Sequence, residues 1–270
     1  MTRTDRLAAI LDLLADTGQI EVEDIVAKLG VSPATARRDL DSLAKQRLLS
    51  RTRGGATTGS VAYDLPSRYN RDDHAEAKNL IAEEASRLIK PGAVIGLSGG
   101  TTTTALAHVL STREDLNTPS DRPTLTVVTN AINIAAQLAV RPNIKIMVTG
   151  GILNPRSYEL VGPYTDIVMQ KVALDFAFIG VNGIDAEVGP TITDEGEASV
   201  NTLMARRAAI SYVLADSSKV GRRAFATMAG YPFLRLITDS GISQKDKAAF
   251  EANGTEVIVA MGAAAGAPQS

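Results

Sequence analysis

Seven apolar runs of strand length recur through the last two thirds of the chain: Ala93–Leu97, Leu125–Thr129, Lys145–Thr149, Phe176–Gly180, Ser211–Ala215, Leu234–Thr238 and Glu256–Ala260. Helix-like segments separate them, and another, around Ala77 to Ile89, leads up to Pro91-Gly92. Short, continuously apolar runs are what strands look like when both faces of a sheet are covered. Their alternation with helices predicts an α/β domain with a Rossmann-like, mostly parallel sheet between two helical layers. With 270 residues and 44% hydrophobic side chains the chain can fill such a core; with 4% aromatics and no Trp the filling is aliphatic and Ala-rich.

Ligands of parallel sheets bind beyond the carboxyl ends of the strands, so the residues after each run carry the information. The first run is followed by Ser98-Gly99-Gly100-Thr101-Thr102-Thr103-Thr104, at a helix start. Two glycines let the backbone come close to a ligand, helix-start amides face it, and Thr hydroxyls add donors; together they suit a phosphate. The Gly-Lys-Ser/Thr step of a nucleotide P-loop is missing. Thr129 and Asn130 follow the second run. Gly150-Gly151 follows the third, with Arg156, Ser157 and Glu159 nearby. Asn182-Gly183 follows the fourth, and Asp216 to Lys219 the fifth. One such loop says little, because Gly and Asp are common after strands. Five along one sheet edge predict a polar pocket, with Lys219 the cation best suited to a phosphate. The pattern requires neither metal nor cofactor.

The first 56 residues carry a different pattern. Leu7, Ile10, Leu11 and Leu14 form one helical stripe, and Val22, Ile25, Val26 and Leu29 a second, opened by Glu21, Glu23 and Asp24 where the helix dipole favours negative charge. After the turn at Gly30-Val31, Ser32 is placed to cap a third helix and Pro33 to occupy its first position. Ala36, Leu40 and Leu43 share the inner face of that helix. Thr35, Arg38, Ser42 and Lys45 lie opposite, with Ala34 near them and Arg37 on the flank. This is a helix-turn-helix whose second helix enters the major groove by its N-terminal end. Ser32, Pro33, Ala34, Thr35, Arg37, Arg38 and Lys45 are the candidate contacts to base edges and phosphates. Leu48 to Ala56 reads as a strand, a glycine turn and a return, a wing on which Arg51 and Arg53 project from one side. The expected organisation is a winged helix-turn-helix at 1–56, a small polar linker at 57–68 and an α/β domain at 69–270. Three small amphipathic helices also build protein-docking modules, and pattern alone leaves that alternative open.

Charge is distributed unevenly. Lys28, Arg37, Arg38, Lys45, Arg47, Arg51 and Arg53 face only Asp39 and Asp41 between positions 28 and 53, a local +5 on a chain of net −2. A basic patch on an acidic molecule favours one defined face for a polyanion. The absence of cysteine excludes disulfides, zinc-thiolate sites and thiol catalysis, and suits a reducing cytoplasm. No run resembles a signal peptide or a membrane span, so a soluble cytoplasmic protein without membrane contact is expected.

Gly30 to Ala56, with Val31-Ser32-Pro33-Ala34-Thr35-Ala36-Arg37-Arg38-Asp39-Leu40 and Arg51-Thr52-Arg53-Gly54-Gly55-Ala56, resembles the signature of the DeoR family of bacterial regulators. In that family the last motif usually has His where Arg53 stands, and a β-branched residue where Ala36 stands. The resemblance continues through the Gly-Thr-Thr-Thr loop, the Val-Thr-Asn step, the Gly-Gly pair and the Asp-Ser-Ser-Lys loop. It implies a sensor domain similar to ribose-5-phosphate isomerase. It further implies a repressor of sugar or carbohydrate metabolism genes, bound to a double-stranded DNA operator and released by a phosphorylated sugar or polyol. An operator of repeated or palindromic half-sites would call for a homo-oligomer, dimer or tetramer. Ser98 and Gly99 replace an acidic residue and a small one, Asn201 a frequent Lys and Asn182 a frequent Asp, so effector identity does not carry over. The rival expectation is a sugar-phosphate isomerase. Isomerases of this kind carry an acidic Asp-Gly-Ala-Asp loop; here the segment reads Gly180-Val181-Asn182-Gly183, which leaves Asp194, Glu195 and Glu197 as the possible bases.

Overall fold

The computed structural model describes residues 6–14 without 8 and 12, 19–45, 49–58, 74–118, 120–228 and 234–261; of residues 45, 50 and 58 it describes the backbone alone. The chain divides into two compact units, Met1–Pro66 and Ser67–Ser270. Of the linker expected at 57–68, Thr57 and Thr58 belong to a paired strand, and residues 59–68 lie outside the described residues, as does Arg47.

In the first unit, helix α1 lies within 6–14, strand β1 is Gln19–Glu21, α2 is Val22–Leu29, α3 is Pro33–Lys45, β2 is Leu49–Arg51 and β3 is Gly55–Thr58. The three strands form an antiparallel sheet in the order β1-β3-β2. Ile10 and Leu14 of α1, Ile25 of α2, Ala36, Leu40 and Leu43 of α3, and Leu49 and Ala56 of the hairpin close one core. The apolar stripes of the sequence are therefore the inward faces. Glu21 and Asp24 form a reciprocal capping box at the start of α2. Ser32 caps α3, its Oγ accepting the Thr35 amide at 3.2 Å. Asp39 is buried on α3 because the Arg6 guanidinium of α1 grips both its carboxylate oxygens, so an acid on the recognition helix serves to fix that helix.

The second unit is built on a seven-stranded sheet. Its strands are β4 (Val94–Leu97), β5 (Leu125–Thr129), β6 (Ile144–Val148), β9 (Leu174–Gly180), β12 (Ala208–Leu214), β14 (Arg235–Asp239) and β15 (Glu256–Ala260). The order is β15-β14-β12-β9-β4-β5-β6 and every pairing is parallel. Each of the seven apolar runs is one of these strands, shifted by at most three residues. Helices α4 (Ala75–Arg87) and α5 (Thr101–Thr112) pack with Phe178 on one face. Helix α9 (Glu195–Arg207) packs with Ala177 and Ile179 on the other, since side chains alternate along β9. Phe178 is fully buried and stacks on Tyr212 with ring centroids 5.6 Å apart. The remaining helices are α6 (Glu114–Asn117), α7 (Ile132–Leu138), α8 (Pro163–Met169) and α10 (Gln244–Ala252).

Two small antiparallel pieces sit at the carboxyl edge of this sheet and were not legible as separate elements. One is the hairpin β7 (Ile152–Asn154) and β8 (Glu159–Val161). The other joins β10 (Gly183–Asp185), β11 (Gly189–Ile192) and β13 (Ala226–Thr227). From the adjacent strands β4 and β9 the chain proceeds outward in opposite directions, through β5 and β6 on one side and through β12, β14 and β15 on the other. The gap between the loops after β4 and β9 is thus the switch point at which parallel sheets bind ligands. Replacing Phe178 by Ala should cost the second unit about 3–5 kcal/mol, read as a lowered denaturation midpoint by urea titration; a loss below about 1 kcal/mol would mean that this pairing does not anchor the sheet.

Candidate functional site

Within the first unit the expected nucleic-acid face is the N-terminal half of α3. Ser32, Pro33, Ala34, Arg37 and Arg38 are exposed and Thr35 is half-buried. Arg37 and Arg38 have no ion-pair partner among the described residues, so two full positive charges stand uncompensated on the recognition helix. The hydroxyls of Ser32 and Thr35 lie 2.9 Å apart and share the helix cap. The side chain of Lys45 lies outside the described residues. Arg51 and Arg53 differ from each other more than strand alternation implied. Arg51 is tied down, its guanidinium meeting Asp41 at 3.0 Å and donating to the Gly55 carbonyl at 2.7 Å. Arg53 sits in the turn between β2 and β3 and is exposed. Arg51 therefore braces the hairpin, while Arg53 is the freer cation at its tip.

In the second unit a cavity of about 810 Å³ opens at the switch point. Among the sequence-expected effector residues, Gly99, Gly100, Thr101, Arg156, Asn182 and Lys219 line it. The loops after β4 and β9 approach so closely that a Cβ on Gly180 would lie 2.7 Å from the Gly99 carbonyl oxygen, and one on Gly99 would fall inside the Glu159 carboxyl group. At position 180 only glycine fits against the neighbouring backbone, and at 99 it leaves room for the Glu159 side chain. The first-turn amides of α5 have no carbonyl behind them, so Gly100 and Thr101 present N–H groups and the positive helix end to the cavity.

Other expected residues hold this wall from behind. Ser98 is fully buried, its Oγ accepting the Gly180 amide at 2.9 Å. Thr102 and Thr103 are buried, and the Thr103 hydroxyl donates to the Gly100 carbonyl at 3.0 Å. Thr129 Oγ1 donates to the Leu97 carbonyl at 2.7 Å, and Asn130 donates to Glu159 at 3.1 Å. The Gly150 carbonyl accepts the Thr165 hydroxyl at 2.7 Å where Gly150-Gly151 turns towards the hairpin. Asn182 Oδ1 accepts the Thr193 amide at 2.9 Å, and Gly183 begins β10.

Sequence reading missed several lining residues. His74 and Lys78, one turn apart at the start of α4, are separated from the glycine-threonine loop by the body of that helix and by β4, and no local motif links them to it. His74 holds φ at 79°, an uncommon value for a residue with a Cβ. Arg222 joins Lys219 from the loop after β12. Neither has an ion-pair partner among the described residues.

That loop has its own anchor. Asp239, at the end of β14, accepts the Ser217 amide at 2.6 Å, the Ser217 hydroxyl at 2.9 Å and the Gly241 amide at 2.9 Å. Burial pushes the Asp239 carboxyl up, but the Ser217 and Gly241 amides and the Ser217 hydroxyl outweigh it and hold the group below the usual carboxylate range. Asp216 is also buried and caps the 3₁₀ turn Ser217–Lys219 by accepting the Ser218 amide at 3.0 Å. A folded-state value below the unfolded one means stability that is present above about pH 4 and lost as pH falls through the lower folded value. Asp239→Asn should cost about 1–3 kcal/mol at pH 7 and flatten the acid limb of the stability profile, measured by urea unfolding between pH 7 and pH 2. An unchanged acid limb would remove Asp239 as the anchor.

The DeoR-like helix-turn-helix domain matches residues 6–60 and the DeoR C-terminal sensor domain residues 73–240. The HTH-type transcriptional regulator GlpR of Haloferax volcanii is 33% identical over 260 residues, 96% of this chain and 98% of that one. The glycerol-3-phosphate regulon repressor of Escherichia coli is 31% identical over 228 residues, 84% of this chain and 87% of that one. Among solved structures, ribose 5-phosphate isomerase A of Methanocaldococcus jannaschii aligns over 55% of each chain with TM-score 0.40 and 21% identity.

Proposed function

The chain belongs to the DeoR family of transcriptional regulators, and from that premise we propose that it represses genes of sugar or carbohydrate metabolism until a phosphorylated sugar or polyol releases it from its operator. The observation that carries the DNA-binding half is the exposed Arg37–Arg38 pair on the second helix of a helix-turn-helix, without an acidic partner among the described residues. On this reading Arg38 reads a base edge, Arg37 and Arg53 meet phosphates, and Ser32 to Thr35 approach the groove. Arg51 and Asp39 act indirectly by fixing the hairpin and the helix.

The effector half rests on the cavity at the switch point. Its phosphate would lie on the amides of Gly100 and Thr101, with Lys219 and Arg222 supplying charge. The name of the Escherichia coli relative makes glycerol 3-phosphate the first ligand to test. Binding shifts the DNA-bound population only through unequal affinity for two conformations. Helix α4 suits that role: its first turn lines the cavity, and it is the first described element after residues 59–73, which tie the sensor to the DNA-binding unit. A homo-oligomer, at least a dimer, would place two recognition helices on two half-sites. The reading assigns no catalysis. The Gly180–Gly183 loop brings Val181 and Asn182, neither of them an acid, to the pocket; of the possible bases that line it, Asp194 caps α9 through the Glu197 amide and Glu197 accepts from Asn154. No described helix is long and apolar enough to cross a membrane.

Replacing Arg38 by Ala should weaken operator binding by about 1–3 kcal/mol, and Arg53→Ala should lower the log–log salt slope by about 0.9. Both are read by fluorescence anisotropy on an operator fragment across a salt series. Arg38→Ala binding like the parent would take α3 out of the groove, and a flat salt response of the parent would refute DNA binding through this face.

A further inference from the structure

The turn between β2 and β3 is held from several sides. Within it, the Thr52 amide donates to the Gly55 carbonyl at 3.1 Å and the Gly55 amide to the Thr52 hydroxyl at 3.0 Å. From the start of α2, the Val22 amide donates to the Gly54 carbonyl at 2.9 Å. Against β1, a Cβ on Gly55 would lie 1.9 Å from the Ile20 carbonyl oxygen, so the chain can pass there only as glycine. A further hold comes from α3. The Arg51 guanidinium donates to the Gly55 carbonyl at 2.7 Å and meets the Asp41 carboxylate at 3.0 Å. Asp41 follows Arg37 by four residues and Arg38 by three, spacings at which opposite charges on a helix are neighbours, yet its ion pair is with Arg51 of the hairpin. Among the described residues, the polar tie between the turn and the recognition helix runs through Arg51 and Asp41. Arg53 projects from this turn, exposed and without an ion-pair partner among the described residues.

We propose that Asp41 is a positioning residue for DNA binding: through Arg51 it fixes the turn against α3, and so sets where the Arg53 charge stands relative to Arg37 and Arg38. This rests on the DNA-binding reading above. The Asp41 side chain is 58% exposed on the helix which that reading lays against a polyanion. Coulomb repulsion alone would make such an acid a hindrance, and its removal would tighten binding. The geometry gives the opposite sign. Without the carboxylate, Arg51 keeps its bond to Gly55 but loses its tie to α3. A guanidinium meets a phosphate only at hydrogen-bond distance and direction, so a turn free to shift against α3 must be ordered again on binding, at a cost in entropy. The Arg51–Asp41 pair is partly exposed and contributes little to stability by itself. Its loss therefore leaves the unit folded and shows in binding.

The test is a set of double-mutant cycles on the full chain. They are read by fluorescence anisotropy, across a salt series, on a DNA duplex that the parent protein selects from a random-sequence pool. Asp41→Asn should bind about threefold more weakly than the parent near 0.1 M salt, although it removes a negative charge. Its log–log salt slope should fall towards that of Arg53→Ala. Asp41→Glu, which keeps the carboxylate within reach of Arg51, should restore both. In the Arg53→Ala background Asp41→Asn should have no further effect, whereas in the Arg38→Ala background it should keep its full effect. A general loosening of α3 would instead weaken both backgrounds alike. Asp41→Asn binding as tightly as the parent or more tightly, or losing the same factor in both backgrounds, overturns the inference and leaves DNA binding through α3 standing. If the parent selects no duplex at low salt, the DNA-binding reading falls and takes the inference with it.

Discussion

Because all seven strands of the sensor sheet point the same way, every connection that leaves a strand's carboxyl end emerges along one edge. The reversal of strand order between β4 and β9 then opens a crevice at a single place on that edge. What keeps the crevice in its shape is backbone-to-backbone proximity. Gly180 lies against the Gly99 carbonyl, and Ser98 bridges the two loops by accepting the Gly180 amide and donating to the Gly99 carbonyl. A side chain at Gly180 would push the loops apart, and with them the helix start that faces the cavity, while one at Gly99 would displace the Glu159 side chain. The glycine-threonine loop, the Asn182 loop and the Asp239-anchored turn are all fixed relative to one another through this contact and through the sheet beneath it.

The crevice draws on helices from both faces of the sheet. His74 and Lys78 come from α4 on the Phe178 side, while Asp194, Glu197 and Asn201 come from α9 on the Ala177 side. A ligand that touches both layers is held by groups whose separation depends on how the layers sit over the sheet edge. That is the kind of contact that lets a small molecule favour one of two arrangements. In the DNA-binding unit the logic is the reverse: Arg6 and Asp39 immobilise the recognition helix, and Asp41 with the Gly55 carbonyl immobilises Arg51, so that the exposed arginines are presented on a fixed surface.

The sheet could be read from the sequence because a strand covered on both faces is apolar at every position, and seven such runs between helical segments fit hardly any architecture but a covered parallel sheet. The three helices of the first unit were legible for a similar reason, each carrying one uninterrupted stripe. Short edge pieces were not: β7, β8, β10, β11 and β13 are two to four residues long and half polar, below the length at which alternation means anything. The glycine-threonine loop announced the phosphate-facing helix start, yet the Thr102 and Thr103 side chains point into the fold, a matter of helical phase that the motif does not encode. Glu159 stood out beside the Gly150-Gly151 loop, Glu197 as a possible base and Asn201 as a departure from the family pattern, but only the meeting of β8, α9 and the loop after β4 brings the three to one cavity. Lys78 is separated from that loop by the rest of α4 and all of β4, and nothing but the folded chain brings the two together. Asp39 read as one of two acids diluting a basic patch, whereas Arg6 removes it from the surface altogether.

Regulation requires coupling between the two units, and coupling is reciprocal: if an effector lowers operator affinity by some factor, the operator must lower effector affinity by the same factor. Measuring glycerol 3-phosphate and glucitol 6-phosphate binding to the protein alone and to its saturated operator complex, together with operator binding in the presence and absence of the same ligand, tests this directly. The prediction is equal weakening in both directions, by about 5–150-fold. A ligand that occupies the cavity with identical affinity whether or not DNA is bound, and leaves operator binding untouched, would contradict it.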